Sequence, residues 1–352
     1  MDRIGLICRY IKEDPRSTQR DLAQKTGFSV GTVNTLIKEA MQQRLIAQGK
    51  SVAGTYELTG AGDAFLEQFQ VDGALIIAAG FGSRFVPLTF ETPKGLLEVF
   101  GERMIERQIK QLHEAGITDI TIAVGYLKAK FEYLIDKYQV KLLYNPEYAT
   151  KNTLTTIYRA RQVLAGKNMY ILSSDNWLRN NMFHAYECGA WYASSYMEGD
   201  TSEWCLSYNK KGRITHVEVG GHDSWVMYGP VFFSRTFSEK FLPLLERYYH
   251  TPGTEQFYWE NVLMEHLDEL EMDINRQPEN QIYEFENLEE LRQFDPRYQN
   301  HSDNTALELV SRVFELPESE IHDIRCLKSG MTNKSFLFQL QGRHDLCRIT
   351  GP

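Results

Sequence analysis

The chain has 352 residues, 42% hydrophobic, 12% aromatic and 24% charged, with a formal charge of −9. This composition excludes a disordered or collagen-like chain, and at about 100–200 residues per domain the length suggests two or three domains. The acidic balance argues against a surface coated throughout for nucleic acid, while leaving room for a small DNA-reading face. The five cysteines (Cys8, Cys188, Cys205, Cys326 and Cys347) are odd in number and widely spaced, with no CxxC. They form neither a disulfide framework nor a zinc site. No run of about 18 apolar residues occurs, and the apolar run near the N-terminus is too short and interrupted for a signal peptide, so a cytoplasmic protein without a membrane partner is expected.

Residues 1–70 read as helix, helix, turn, helix, hairpin, helix. Ser17 or Thr18 can cap the second helix, Asp21 favours its first turn, and Gly27 breaks it. Ser29 caps a third helix to about Gln43, with Val33, Leu36 and Ile37 as its apolar stripe. RLIAQGKSVAGTYELTGAG follows as strand, turn, strand. The stretch DLAQKTGFSVGTVNTLIKEAMQQRLI resembles the winged-helix family of bacterial regulators. That resemblance implies that Thr32, Asn34, Thr35 and Lys38 face a DNA major groove. It also admits a homodimer. Against DNA, the block holds nine Lys and Arg and eight Asp and Glu, where a DNA reader is usually more basic. The other reading is an interaction or dimerisation module.

Residues 71–298 open with strand ALIIAA and a Gly-rich loop. Helix ERMIERQIKQLHEAG, strand DITIAVG, helix KAKFEYLIDKY, strand VKLLYN, helix TLTTIYRARQVL and strand NMYILSS follow. Such alternation predicts a mostly parallel sheet with helices on both faces. Short aromatic-rich strands come next (WCLSYN, RITHVEV and SWVMYGPVFF), then two helices and strands near MDIN and QIYEF. Residues 304–352, after a polar linker, read as one helix and three strands, with turns at Ser329-Gly330 and Gln341-Gly342. A piece of this size buries little core alone.

The strongest motif is AAGFGSRFVPLTFETPKGLLEVFG, residues 78–101. Gly80 and Gly82 let backbone N–H groups approach an anion, Arg84 can fork onto phosphate oxygens, and Lys94 adds a second positive charge. It is neither a Walker loop, lacking GK[ST], nor a dinucleotide fingerprint, since Phe85 takes the third Gly position. Asp175 follows an apolar strand and so sits at its carboxyl end, where a Mg²⁺ taking one or two carboxylates plus phosphates fits. All five tryptophans (Trp177, Trp191, Trp204, Trp225 and Trp259) lie in the later part of this block. Aromatic faces with a nearby carboxylate suit a quaternary ammonium. Trp204, Tyr258 and Trp259, with Glu284 as counter-charge, are the candidates, whereas Trp177, Trp191 and Trp225 read as core.

With TPKG, VGYLK, the SSDN segment, SEW and YWEN, this block resembles the nucleotidylyltransferases, and more closely the bacterial CTP:phosphocholine cytidylyltransferases. The implied fold is α/β: a Rossmann-like nucleotidyltransferase with a mostly parallel mixed sheet, preceded by a winged helix domain. In that family Ala79, Gly80, Gly82 and Ser83 would hold the triphosphate, with Lys94 and Arg84 at the reacting phosphates. Gly125 and Tyr126 would line the base pocket, and Asn145 and Asn152 would contact base or ribose, or else serve as loop and cap residues. Asp175 and Glu260 would hold Mg²⁺, Glu260 being otherwise a solvated helix residue. CTP and phosphocholine are the implied substrates. Phosphoethanolamine, a sugar 1-phosphate, or a regulator using this fold as ligand sensor are the alternatives. SGMTNKSFLFQLQGRHDLCRIT resembles the opening strands of bacterial choline kinases. Ser329, Gly330, Met331, Thr332 and Asn333 would form its nucleotide-covering turn and Arg348 a phosphate-binding cation. On that resemblance the kinase would continue beyond this chain, and the piece alone should have no kinase activity.

Overall fold

The structure, a computed structural model, describes residues 1–49, 54–300, 302–328 and 333–350. The first unit holds helices α1 (Arg3–Glu13), α2 (Gln19–Thr26) and α3 (Val30–Gln42), strands β1 (Ile46–Gln48) and β2 (Tyr56–Leu58), and helix α4 (Gly60–Glu67). Its local signals are those of the sequence. Thr18 and Asp21 form a reciprocal capping box on α2, Gly27 ends it at φ +71°, and Ser29 accepts from the Thr32 amide. Ile7, Ile11, Leu22, Val33, Ile37 and Leu66 fill one small core. On α3, Thr35 and Lys38 are exposed, while Asn34 donates to Gln19 at 3.1 Å and Thr32 meets Ser29.

The central unit begins with β3 (Gly73–Ala78), β4 (Glu98–Val99), β5 (Glu102–Arg103), α5 (Met104–Glu114), β6 (Ile120–Val124), α6 (Tyr133–Tyr138) and β7 (Lys141–Tyr144). It continues through α7 (Thr153–Arg159), α8 (Arg161–Leu164), β8 (Met169–Ser173), β9 (Asn176–Leu178), β10 (Trp191–Tyr208) and β11 (Ile214–Phe233). α9 (Arg235–Tyr249), α10 (Trp259–Glu265), β12 (Asp273–Arg276), β13 (Ile282–Glu284) and α11 (Leu288–Phe294) complete it. Seven strands form one sheet in the order β12-β10-β11-β8-β3-β6-β7. β8, β3, β6 and β7 run parallel, while β11 pairs antiparallel to β8 and β10 to β11. This is an α/β fold with a mostly parallel mixed sheet, behind a small helical unit with a two-stranded hairpin. Side chains of β3 alternate between two cores, Leu75 in one and Ala74, Ile76 and Ala78 in the other. That is why the strand reads as an unbroken apolar run.

Three expectations change. The helix expected over KAKFEYLIDKY is a 3₁₀ turn at Lys128–Phe131 followed by the short α6. The three short aromatic strands are parts of two long ones, β10 and β11, buried at their ends and alternating toward solvent midway. The helix expected over TLTTIYRARQVL breaks at Ala160 into α7 and α8. Among the described residues, no helix is long and apolar enough to cross a membrane.

The last unit comprises α12 (Thr305–Phe314) and an antiparallel sheet of β14 (His322–Lys328), β15 (Asn333–Leu340) and β16 (Arg343–Thr350). The turn expected at 341–342 is present, with both residues at positive φ. Ser329, Gly330, Met331 and Thr332 lie outside the described residues. The piece shares its core with the central unit: Leu307, Ile321, Phe336 and Phe338 pack with Phe85, Val86, Leu88 and Phe90 of the Gly-rich segment. Polar clamps fix the junction. Asn304 Nδ2 donates to the Pro87 carbonyl at 3.2 Å, and Lys334 Nζ to the Phe90 carbonyl at 2.7 Å. This shared core supplies the burial that so short a segment lacks alone.

Candidate active site

The site lies outside the carboxyl ends of β3, β6 and β8, where open α/β sheets bind ligands. β3 delivers Ala79 and Gly80, and a Cβ added to Gly80 would meet nothing within 4 Å, so open space faces the loop. Gly82 turns the chain at φ +68°, and its carbonyl accepts from Thr89 at 3.0 Å and from the Phe85 amide at 2.9 Å. Ser83 and Arg84 follow on an exposed turn, where Arg84 pairs with Glu286. Lys94 crosses back beneath the loop, its Nζ 2.6 Å from Asp175 Oδ2 and 4.9 Å from the Phe85 ring centre. Gly95 makes this approach feasible, because a Cβ there would stand 2.6 Å from Ser174 Cβ. Ser173 Oγ donates to the other Asp175 oxygen at 2.5 Å. Burial pushes the Asp175 carboxyl up, but the charge and hydrogen bond of Lys94 outweigh it and hold the group below its usual range. The result is an ionised carboxylate paired with an ammonium beneath the Gly80–Gly82 loop.

At the end of β6, Gly125 is pressed against the Ala79 carbonyl and Tyr148, each 2.6 Å from where a Cβ would stand. Tyr126 is fixed by its amide on the Ala79 carbonyl at 3.0 Å, and its ring meets Phe81 edge-on at 4.7 Å. Asn145 is fully buried, donating to Thr156 at 3.0 Å and accepting from the Glu147 amide at 3.0 Å. Asn152 caps α7, accepting from the Thr153 amide at 2.8 Å. Both asparagines thus hold the β7–α7 loop in shape.

Aromatic and acidic residues converge on the other side. Trp204 meets Tyr258 edge-on at 5.6 Å, and Tyr258 is 46% exposed. Trp259, next in sequence, is 2% exposed, stacked on Tyr192 at 5.9 Å and packed against Phe233 and Phe241. Tyr258 is the extended N-cap of α10 and Trp259 its first helical residue, and across that junction one ring faces out while its neighbour supports the floor. Tyr192 donates to Glu260 Oε1 at 3.1 Å, while Glu260 Oε2 is shut from solvent without a hydrogen-bond partner among the described residues. Burial raises the Glu260 carboxyl to about 7. Glu284 accepts from Asn176 at 3.2 Å, and burial, then the charge of Asp175, raises it to about 7. The charges of Glu260, Glu284 and Glu203 all act on Tyr192. Tyr228 fixes the Glu284 backbone, accepting from its amide at 2.9 Å and donating to its carbonyl at 3.2 Å. Gly95, Ser173 and Glu203 lie inside the TPKG, SSDN and SEW segments without being singled out there, and Tyr192 lies in none of them. Only the packing shows what these four side chains and backbone positions do.

The donors suit a magnesium ion. Asp175 offers an ionised carboxylate at a strand end, and Glu260 an unpartnered carboxylate oxygen. Among the described residues, the one group of three potential ligand side chains converging within 4.8 Å is His266, Asp268 and Glu269. A Mg²⁺ at Asp175 and Glu260 would take its remaining ligands from substrate phosphates and water.

Comparison with known proteins gives two family matches: the nucleotidyl transferase family over residues 73–193 and a winged helix-turn-helix DNA-binding family over residues 2–47. The chain is 34% identical over 229 residues to a choline-phosphate cytidylyltransferase of Streptococcus pneumoniae, covering 65% of this chain and 99% of the relative. It is 35% identical over 227 residues to a 2-aminoethylphosphonate cytidylyltransferase of Lancefieldella rimae, covering 64% and 92%. The solved CTP:phosphocholine cytidylyltransferase of Streptococcus pneumoniae superposes with a TM-score of 0.62 over 64% of this chain and 98% of that one, at 34% identity. About a third of this chain therefore has no counterpart in these relatives.

Proposed function

Since the chain belongs to the nucleotidyltransferase family and has cytidylyltransferases among its relatives, we propose that it transfers a cytidylyl group from CTP to phosphocholine. An oxygen of the phosphocholine phosphate attacks the α-phosphorus of CTP in line. The bond to the β-phosphate breaks, and CDP-choline and pyrophosphate leave. The observation that carries this reading is the Lys94–Asp175 pair set beneath the Gly80–Gly82 loop.

The attacking phosphate is largely dianionic near neutrality, so the reaction needs no general base. What it needs is relief of repulsion between anions, and orientation. The loop amides and Arg84 cradle the triphosphate, and Lys94 neutralises charge at the reacting phosphates. Mg²⁺, held by Asp175 and Glu260, supplies charge neutralisation when bound. Trp204 and Tyr258 present faces to the choline head, with Glu284 and Glu203 as counter-charges.

A primary ammonium is the runner-up head group. The same carboxylates can accept its hydrogen bonds, and a 2-aminoethylphosphonate enzyme is as similar to this chain as a choline-phosphate one. On its own resemblance, the C-terminal sheet is the opening of a choline kinase-like fold, which would place phosphocholine synthesis beside its use. The winged helix adds a second reading, DNA binding, favoured by its family match and the exposed Thr35 and Lys38.

The test is pyrophosphate release with Mg²⁺, scanning CTP, UTP, ATP and GTP against phosphocholine, phosphoethanolamine, 2-aminoethylphosphonate and glucose 1-phosphate. Release with CTP and phosphocholine, falling at least about a hundredfold in Lys94→Ala and Asp175→Ala, is the expected outcome. Preference for a sugar phosphate would overturn the aromatic-pocket assignment. Nucleotide binding without turnover would favour the sensor.

A further inference from the structure

Docking of the C-terminal sheet on the Gly-rich segment leaves an open cavity of about 630 Å³, lined by Ser83 and Arg84 of the loop, by Asn287, and by residues 324–327 of β14, Arg325 among them. Its polar lining is made of donors. Arg325 is exposed and makes no ion pair among the described residues. Asn287, also in the lining, spends its side-chain oxygen on the Glu290 amide at 3.0 Å, and its NH₂ makes no hydrogen bond among the described residues. Ser83 adds a hydroxyl and Arg84 a guanidinium. Two carboxylates border the set: Glu286, paired with Arg84, and Glu290, which accepts from the Glu286 amide at 2.8 Å.

We propose that this cavity is an anion subsite for inorganic diphosphate, in which Arg325 and Asn287 receive the leaving group beside Arg84. The assignment rests on reading the Gly80–Gly82 loop as the triphosphate cradle. A diphosphate carries enough charge to displace Glu286 from Arg84 and bridge to Arg325, because guanidinium–phosphate contacts are among the stronger and more directional pairings. β14 thereby completes a site that the central unit begins.

The experiment is calorimetric titration of the full chain with inorganic pyrophosphate alone, together with pyrophosphate inhibition of turnover against CTP. Arg325→Ala and Arg325→Gln are expected to weaken pyrophosphate binding about tenfold, the exposure of Arg325 keeping the loss at the lower end for a charged contact. Arg325→Lys should restore part of it, and KM for the phosphate acceptor should stay unchanged. Pyrophosphate binding equal to wild type in both neutral variants overturns the subsite, even with CTP turnover intact. Weakened binding in both variants supports it, even if no cytidylyl acceptor turns over.

Discussion

A side chain at position 95 would part Lys94 from Asp175. In Gly95→Ala the new methyl meets Ser174 Cβ and Oγ at 2.6 Å and its carbonyl at 3.0 Å, so the Pro93–Lys94 turn must retreat. Displacements near an ångström cost about a hundredfold where orientation carries the catalysis. We expect kcat to fall by that order while the circular dichroism spectrum and the melting cooperativity persist. Two neighbouring aromatics make a sharper contrast. Trp204→Ala should raise KM for phosphocholine about three- to thirtyfold without moving KM for CTP, the range following from one cation–π contact. Trp259→Ala instead empties a buried ring position and should cost about 3–5 kcal/mol of stability. Denaturant unfolding beside steady-state kinetics separates the two. Equal stability losses would mean that Trp204 is also core.

The elements were legible in sequence wherever a local rule governs them. Thr18 with Asp21, Gly27 and Ser29 announce α2 and α3, and the apolar run Ala74–Ala78 announces a buried parallel strand. The length of β10 was not legible. Its middle alternates into solvent through Glu198, Gly199 and Asp200, residue types depleted in strands. In the site, Lys94 and Asp175 were recognisable singly, but they meet across 81 positions, and only tertiary packing pairs them. Long-range pairing also ties the winged helix to the body. Arg9, 4% exposed, donates to Glu187 at 2.8 Å, and Glu187 accepts from Tyr170 at 2.7 Å. Glu187→Gln would leave the buried Arg9 cation with only the more distant Glu13, 3.7 Å away, as counter-charge, a loss of about 3 kcal/mol, the lower end for broken buried pairs. Calorimetry should then show the first unit melting ahead of the rest. The double variant Arg9→Met with Glu187→Leu should recover most of that loss, because the desolvation of both charges disappears with them. No recovery would mean that the cost lies in packing rather than charge.

At the scale of the molecule, β8 joins the two functional ends. Tyr170, near its start, touches the winged-helix anchor through Glu187, while Ser173 at its end holds Asp175. The three residue steps between them span about 10 Å of extended chain. Proximity alone does not couple the ends, because coupling requires an element with two arrangements that each ligand biases differently. β8 is paired on both sides, and its residues from Met169 to Leu172 are buried, so it offers one arrangement. The physical expectation is two activities carried side by side. In fluorescence anisotropy with a labelled duplex, Lys38→Ala should weaken DNA binding and lower the salt slope by about one, leaving the rate of pyrophosphate release unchanged. Saturating CTP should shift DNA affinity by no more than about twofold, and by reciprocity DNA should leave nucleotide affinity as it was. A shift of tenfold in either direction would show that the anchor at Arg9 and Glu187 moves when the site is filled. The sheet would then be the lever of a nucleotide-controlled regulator.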